Sequence, residues 1–204
     1  MALRSLGALT MSHTLLPFIL FALAASISPG PTNLLILAHG AQRGLRASVG
    51  PILAACCAAS AVILLVGLGL GELLLRYPRV QHAMSWVGAL WLSWMAWRLL
   101  RAAGAPLQAG EDAGLSPLGA ATLQLVNPKV WVTAVAMVGL FATPALSMGW
   151  LALVFLLIAL PSMAAWALLG VGSARWLRSP RRLRGFNQGL AGLLLVSAWS
   201  ALLI

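Results

Sequence analysis

The sequence predicts an all-α membrane protein: six transmembrane helices as two inverted three-helix repeats, with helices 1 and 4 broken. Three observations predict it. Hydrophobic residues make up 61% of the 204-residue chain and charged residues only 8%. A water-soluble domain carries about 25% charged residues, so this surface does not face water all round. Six apolar segments can be counted, each long enough for a hydrocarbon core of about 30 Å, which takes about 20 helical residues. Proline-containing breaks interrupt the first and fourth of these segments. The chain reads as one transmembrane domain, 1–204, with repeat one over about 14–101 and repeat two over about 116–203.

The first segment runs over about 14–39 and is broken by "SPGP", Ser28 to Pro31. Arg4, the apolar run Leu15 to Ala25 and the small residues after it mimic a secretory signal. Apolar character resumes at Leu34, however, which favours a broken span over a cleaved leader. Met11 offers a second translation start, so residues 1–10 read as an extension. The second segment covers about 48–71 and the third about 83–100, the latter carrying Trp86, Trp91, Trp94 and Trp97. A polar linker, Ala102 to Pro117, holds Glu111 and Asp112 and divides the chain in half. The fourth segment, about 117–142, contains "LQLVNPK". The fifth, about 149–172, carries Pro161 as a kink site. The sixth covers about 185–203.

Arginine placement orients these spans. The first, third and fifth linkers hold Arg43, Arg46, Arg98, Arg101, Arg175, Arg178, Arg181, Arg182 and Arg184; the other side holds Arg4, Arg76 and Arg79. Nine against three makes the first side cytoplasmic, with both termini periplasmic. Three spans per half is an odd number, so related halves must be inverted. Matching positions support the relation: Pro29 and Pro128 are 99 apart, as are Gly50 and Gly149, while Gly88 and Gly189 are 101 apart.

The net charge of +10 is what such arginine-rich loops produce, and no aromatic residues interleave the arginines as a nucleic-acid groove would require. Cys56 and Cys57 are adjacent; helical neighbours point about 100° apart, which strains any bond between them. They read as small buried hydrophobes. Gly67 and Gly71 have small-xxx-small spacing, a weak sign of a homodimer.

Lys129 is the single lysine of the chain and lies deep within an apolar run, preceded by Asn127 and Pro128. A lysine at mid-helix costs about 2.5–3.5 kcal/mol on insertion scales. No acidic residue lies in any apolar run to pair with it. It therefore needs carbonyls, water or an anionic ligand, and a carboxylate-bearing solute qualifies. Proline removes a backbone N–H and clashes with the preceding turn, and carbonyls so freed cannot face lipid. Ser28, Pro29, Gly30, Pro31, Thr32 and Asn33 in one break, and Asn127, Pro128 and Lys129 in the other, form the expected substrate site. Paired interrupted spans in matching halves are the sequence mark of a transporter's central site. The alternative is a structural lysine bonded to the freed carbonyls.

On these residues the chain resembles the LysE/RhtB family of bacterial amino-acid exporters. The likeness rests on "SPGPTNLLIL", "GLRASVG" (Gly44 to Gly50), "LSWMAWRLL" and "LQLVNPK", and covers nearly all of the chain from about Met11. The last run and the short central linker look most like the cysteine and O-acetylserine exporter branch. The resemblance implies six spans as inverted repeats, efflux of amino acids or derivatives against proton influx, and the bacterial inner membrane. It carries over Pro29, Gly30, Pro31, Asn33, Asn127, Pro128 and Lys129. Where many members read Pro-Gly-Pro-Asn, this chain has Thr32 ahead of Asn33, and it lacks the intramembrane carboxylate expected of a proton-coupled carrier.

The expectation is thus an exporter of a small amino-acid-like substrate, embedded in the bilayer, working by alternating access, with no catalysis, cofactor, metal or nucleic-acid partner. A heavy-metal cation exporter using Cys56 and Cys57 is the first rival; the Lys129 cation would repel its cargo. A membrane thiol-redox protein is the second; it needs separated reactive cysteines. A non-transporting scaffold gives no reason for two matched breaks.

Overall fold

The computed structural model describes residues 2–102, 115–143, 146–174 and 179–200. Glu111, Asp112, Arg175 and Arg178 lie outside the described residues. Eight α-helices follow in order: α1 (Ala2–Ile27), α2 (Pro31–Leu65), α3 (Gly71–Arg76), α4 (Pro78–Ala102), α5 (Pro117–Val126), α6 (Pro128–Phe141), α7 (Met148–Ala174) and α8 (Pro180–Ser200). A π-helical turn, Val66–Leu70, joins α2 to α3. Among the described residues the only β pairing is an isolated bridge, Thr143 to Leu146, between α6 and α7. Among the described residues the fold is all-helical, as composition and segment length lead one to expect.

Prolines open most of these helices. Pro31, Pro117 and Pro128 each sit at a first helical position, where the missing N–H would have no partner anyway and φ is already helical. Ser116 caps α5, its side chain accepting from the Gly119 N–H at 3.0 Å. α7 continues through Pro161 in unbroken helical backbone, although the sequence marks a kink there.

Among the described residues two stretches are long and apolar enough to cross a membrane: Pro31–Leu70 and Met148–Ser173. The pair α5 and α6 qualifies as one broken span, bent by 63° at Asn127. At 1.5 Å per residue, the 40 residues of Pro31–Leu70 would extend about 60 Å, twice the hydrocarbon thickness. Gly44 divides them. Its φ of 82° and ψ of 173° leave the helix in a region that favours glycine, with no neighbouring atom crowding the position. Gly44 thus separates a shorter arm, beginning at Pro31, from a longer one that ends at Leu65.

α2 lies chiefly against α7 and α5, and α4 against α8. Glycines set the closest approaches: Gly40 abuts the Ala167 backbone, and Gly170 abuts the Leu37 carbonyl and the Ala41 nitrogen. Gly88 of α4 abuts the Val126 carbonyl at the end of α5. Gly67 meets Met148, and Gly71 meets Val66 and Val135, so both expected dimer glycines serve contacts within the chain. Trp86 and Trp199 meet edge to face at 6.0 Å, tying α4 to α8. His39 links the two halves: the Leu115 N–H donates to Nδ1 at 3.0 Å, leaving Nε2 to carry its proton toward the Ala47 carbonyl at 3.3 Å.

Polarity is distributed as a bilayer demands. Ser26, Thr32, Asn33, Ser48, Gln124 and Asn127 are buried, while Leu20, Leu118, Leu157 and Val196 are exposed. A water-soluble monomer rarely shows a contiguous apolar exterior of this kind.

Candidate functional site

The first break lies between α1 and α2. Pro29 has no N–H for the Ala25 carbonyl, and the Ser28 hydroxyl replaces it by donating to that oxygen at 3.0 Å. The Ser26 and Ser28 carbonyls also lose helical partners. Asn33, one turn into α2, reaches back with Nδ2 to both, at 2.9 and 3.0 Å. One amide thus closes the gap in a buried helix end, where an unpaired carbonyl costs about 1–3 kcal/mol.

The second break lies between α5 and α6. Asn127 leaves the helix at φ −85°, ψ 108°, and its side chain accepts from the Lys129 N–H at 3.1 Å. That donor would otherwise have served the Leu125 carbonyl, which instead accepts from Trp131 Nε1 at 2.7 Å.

The breaks face one another. Lys129 Nζ donates to the Ser28 carbonyl at 3.0 Å and to the Ser28 hydroxyl oxygen at 2.8 Å, 101 residues away in the chain. Gly30 makes room: a Cβ there would stand 3.0 Å from Nζ. The C-terminal end of α1 supplies the negative pole that a cation prefers. A second bond between the halves runs from the Thr32 hydroxyl to Gln124 Oε1 at 3.3 Å. Hydrogen bonds to a charged donor contribute about 1.5–3 kcal/mol each, comparable with the insertion cost of a lysine, about 2.5–3.5 kcal/mol. Insertion cost alone therefore demands no ligand; the cavity beside the ammonium makes the case for one.

That cavity has a volume of about 60 Å³ on the measure in which a water molecule takes about 10–15 Å³. It holds roughly four to six water-sized groups, the bulk of a small amino acid. Of the expected residues, Gly30, Pro31, Thr32, Asn33, Asn127 and Lys129 line it. Ser28 acts through Lys129, and Pro29 is exposed and, like Pro128, shapes the break without lining the space. Sequence reasoning missed Gln124 and Ser26, both buried and both lining it. Gln124 stands three residues before Asn127 within an apolar run, a signal that could have found it. The Ser26 hydroxyl has no hydrogen-bond partner. The cysteines diverge, Cys56 buried against the cavity and Cys57 exposed. Among the described residues no group of three His, Cys, Asp or Glu side chains could hold a metal ion.

Two helix breaks meeting at the polar side of a cavity, inside a helical bundle with an apolar exterior, are the arrangement of a membrane transporter. The chain belongs to the LysE family: the family model described as LysE type translocator matches residues 23–203. Similar proteins include the cysteine/O-acetylserine efflux protein of Salmonella typhimurium (strain LT2), 30% identical over 158 residues, or 74% of this chain and 78% of the relative. The protein of the same name from Escherichia coli (strain K12) is 29% identical over 167 residues, covering 78% of this chain and 84% of the relative. No solved structure gives a significant match. The protein is accordingly an integral membrane translocator of bacterial type that exports amino-acid-like solutes.

Proposed function

We propose that this protein exports a small amino acid or amino-acid derivative across the bacterial inner membrane, by alternating access coupled to protons. Six spans as two inverted repeats would carry it: α1 with the first arm of α2, the second arm of α2, α4, the α5–α6 pair, α7 and α8. The packing of α4 on α8 and of α2 on α5 and α7 supports this reading, since a two-fold axis in the membrane plane would bring such elements together. The relatives' printed names, cysteine/O-acetylserine efflux protein, suggest the size and chemistry of the solute.

The observation that carries the reading is Lys129 Nζ, reaching from one half to the broken helix of the other at the edge of a cavity. A substrate carboxylate entering there would take the ammonium from Ser28. The ammonium of the substrate would meet Ser26 Oγ, Gln124 and the carbonyls at the break. Exchange of Ser28 for a carboxylate loosens a bond between the halves, which links substrate binding to their relative movement. Lys129 is also the ionisable group placed to release and recover a proton as the carboxylate leaves and arrives, so coupling needs no intramembrane acid.

The test is efflux of amino acids from cells and vesicles across external pH at matched protein levels. The wild type should confer resistance to toxic amino-acid analogues and lower the internal pool of at least one small amino acid. Lys129→Met should insert normally and abolish efflux. Lys129→Arg, whose charge persists at all working pH, should bind substrate yet fail to turn over. Wild-type rates for Lys129→Met would leave this lysine a structural tie.

A further inference from the structure

The cavity has two unlike walls. The polar wall is made by the two breaks. The apolar wall comes mainly from α2, with Ala55, Cys56 and Ala59, and from α7, with Phe155, Ala159 and Met163. Within each helix these residues recur at four-residue spacing: 55 and 59 on α2; 155, 159 and 163 on α7. Such spacing puts them on one helical face, one turn apart. Among the residues lining the cavity, Lys129 is the only charged side chain and none is acidic.

We infer that this α2–α7 wall is the side-chain compartment of the site, and that Phe155, Ala159 and Met163 restrict the substrate to a short, uncharged side chain. The inference rests on the exporter reading and adds the residues that set its specificity. The argument is one of orientation and pairing. With the carboxylate held at Lys129 and the ammonium among the carbonyls and amides of the breaks, the side chain is left to the apolar wall. A cationic side chain would lie there without an acid to pair with, and an anionic one without a second base; an unpaired charge is costly to bury. Length is limited next. Ala55, Ala59 and Ala159 leave the space that exists, while Phe155 and Met163, both buried, close it. A methylene in a tight apolar pocket changes selectivity by about 10–200-fold, so truncating either closing residue should be legible in transport.

The experiment is counterflow in proteoliposomes, at matched reconstituted protein, with alanine, cysteine, leucine, phenylalanine, lysine and glutamate as labelled probes. The wild type should move alanine and cysteine at least about tenfold faster than the other four. Phe155→Ala and Met163→Ala should each raise the leucine-to-alanine rate ratio about tenfold or more. Ala159→Leu should depress cysteine more than alanine. Leu157→Ala, on the outward face of the same helix at 59% exposure, should keep the wild-type order. An unchanged order in Phe155→Ala, Met163→Ala and Ala159→Leu, with the wild type active, would overturn the compartment and leave the exporter standing. Rapid wild-type transport of lysine or glutamate would overturn it equally. A wild type that moves none of the six would bring down the exporter reading, and the inference with it.

Discussion

Gly30 stands where any side chain would press on the Lys129 ammonium, at 3.0 Å from a built Cβ. The atom it would meet is the end of a flexible side chain, so Gly30→Ala should fold, with Lys129 displaced from Ser28. Efflux should drop about tenfold or more, the loss that about 1.4 kcal/mol of misplaced binding produces, while membrane insertion stays at the wild-type level. Full efflux in Gly30→Ala would show that the Lys129–Ser28 contact is dispensable. Asn33 presents a different case, because its amide serves two buried carbonyls of α1. Asn33→Leu keeps the bulk, strands the Ser26 oxygen and leaves the Ser28 oxygen to Lys129 alone. It should cost about 1–3 kcal/mol, read as a lower unfolding temperature in detergent. An unshifted midpoint would mean that water or another donor takes over.

At the scale of elements, the contact between α2 and α7 is set by backbone meeting backbone. Gly170 lies against the Leu37 carbonyl and the Ala41 nitrogen, and neither can turn aside as a side chain can. Gly170→Val should therefore drive the helices apart and abolish accumulation of folded protein, since overpacking costs typically 1–3 kcal/mol even where neighbours can yield. Gly172 is in the same helix and meets nothing within 4 Å, so Gly172→Val should be tolerated. Size-exclusion profiles of the two variants check this; matching profiles would refute the close packing. The sequence marked glycines for another reason, their recurrence between halves. Gly88 is needed where α4 passes the Val126 carbonyl, yet Gly189, which sequence spacing pairs with it, has open space around it. Their spacing along the chain does not give the two a shared role.

At the scale of the whole molecule, orientation follows from arginines rather than from packing. Reporter fusions after Arg46 and after Arg182 should read cytoplasmic, and fusions after Arg79 and at the C-terminus periplasmic. A cytoplasmic C-terminus would sink the six-span arrangement. The tryptophans of α4 fit an interfacial and lipid-facing role: Trp86, Trp94 and Trp97 are each about half exposed, and the Arg101 guanidinium lies 3.8 Å from the centre of the Trp97 ring.

What the sequence determined by itself was whatever composition and backbone chemistry dictate locally. A chain with 8% charged residues must live in lipid, and proline cannot donate, so the breaks at Pro29–Pro31 and Pro128 were legible along with the polar residues that serve them. Lys129 was legible as an anomaly, and its tie to a freed carbonyl was one of the two readings open. Tertiary structure decided which groups meet. That Ser28, and not a distant acid, receives the ammonium depends on two breaks 101 residues apart lying side by side. The α7 wall of the cavity was not legible at all. In a helix apolar on every side, no periodic contrast separates the face that meets protein from the face that meets lipid, so Phe155 and Leu157 look alike in the sequence. Only packing within the bundle, chiefly against α2 and α1, buries the first and leaves the second exposed.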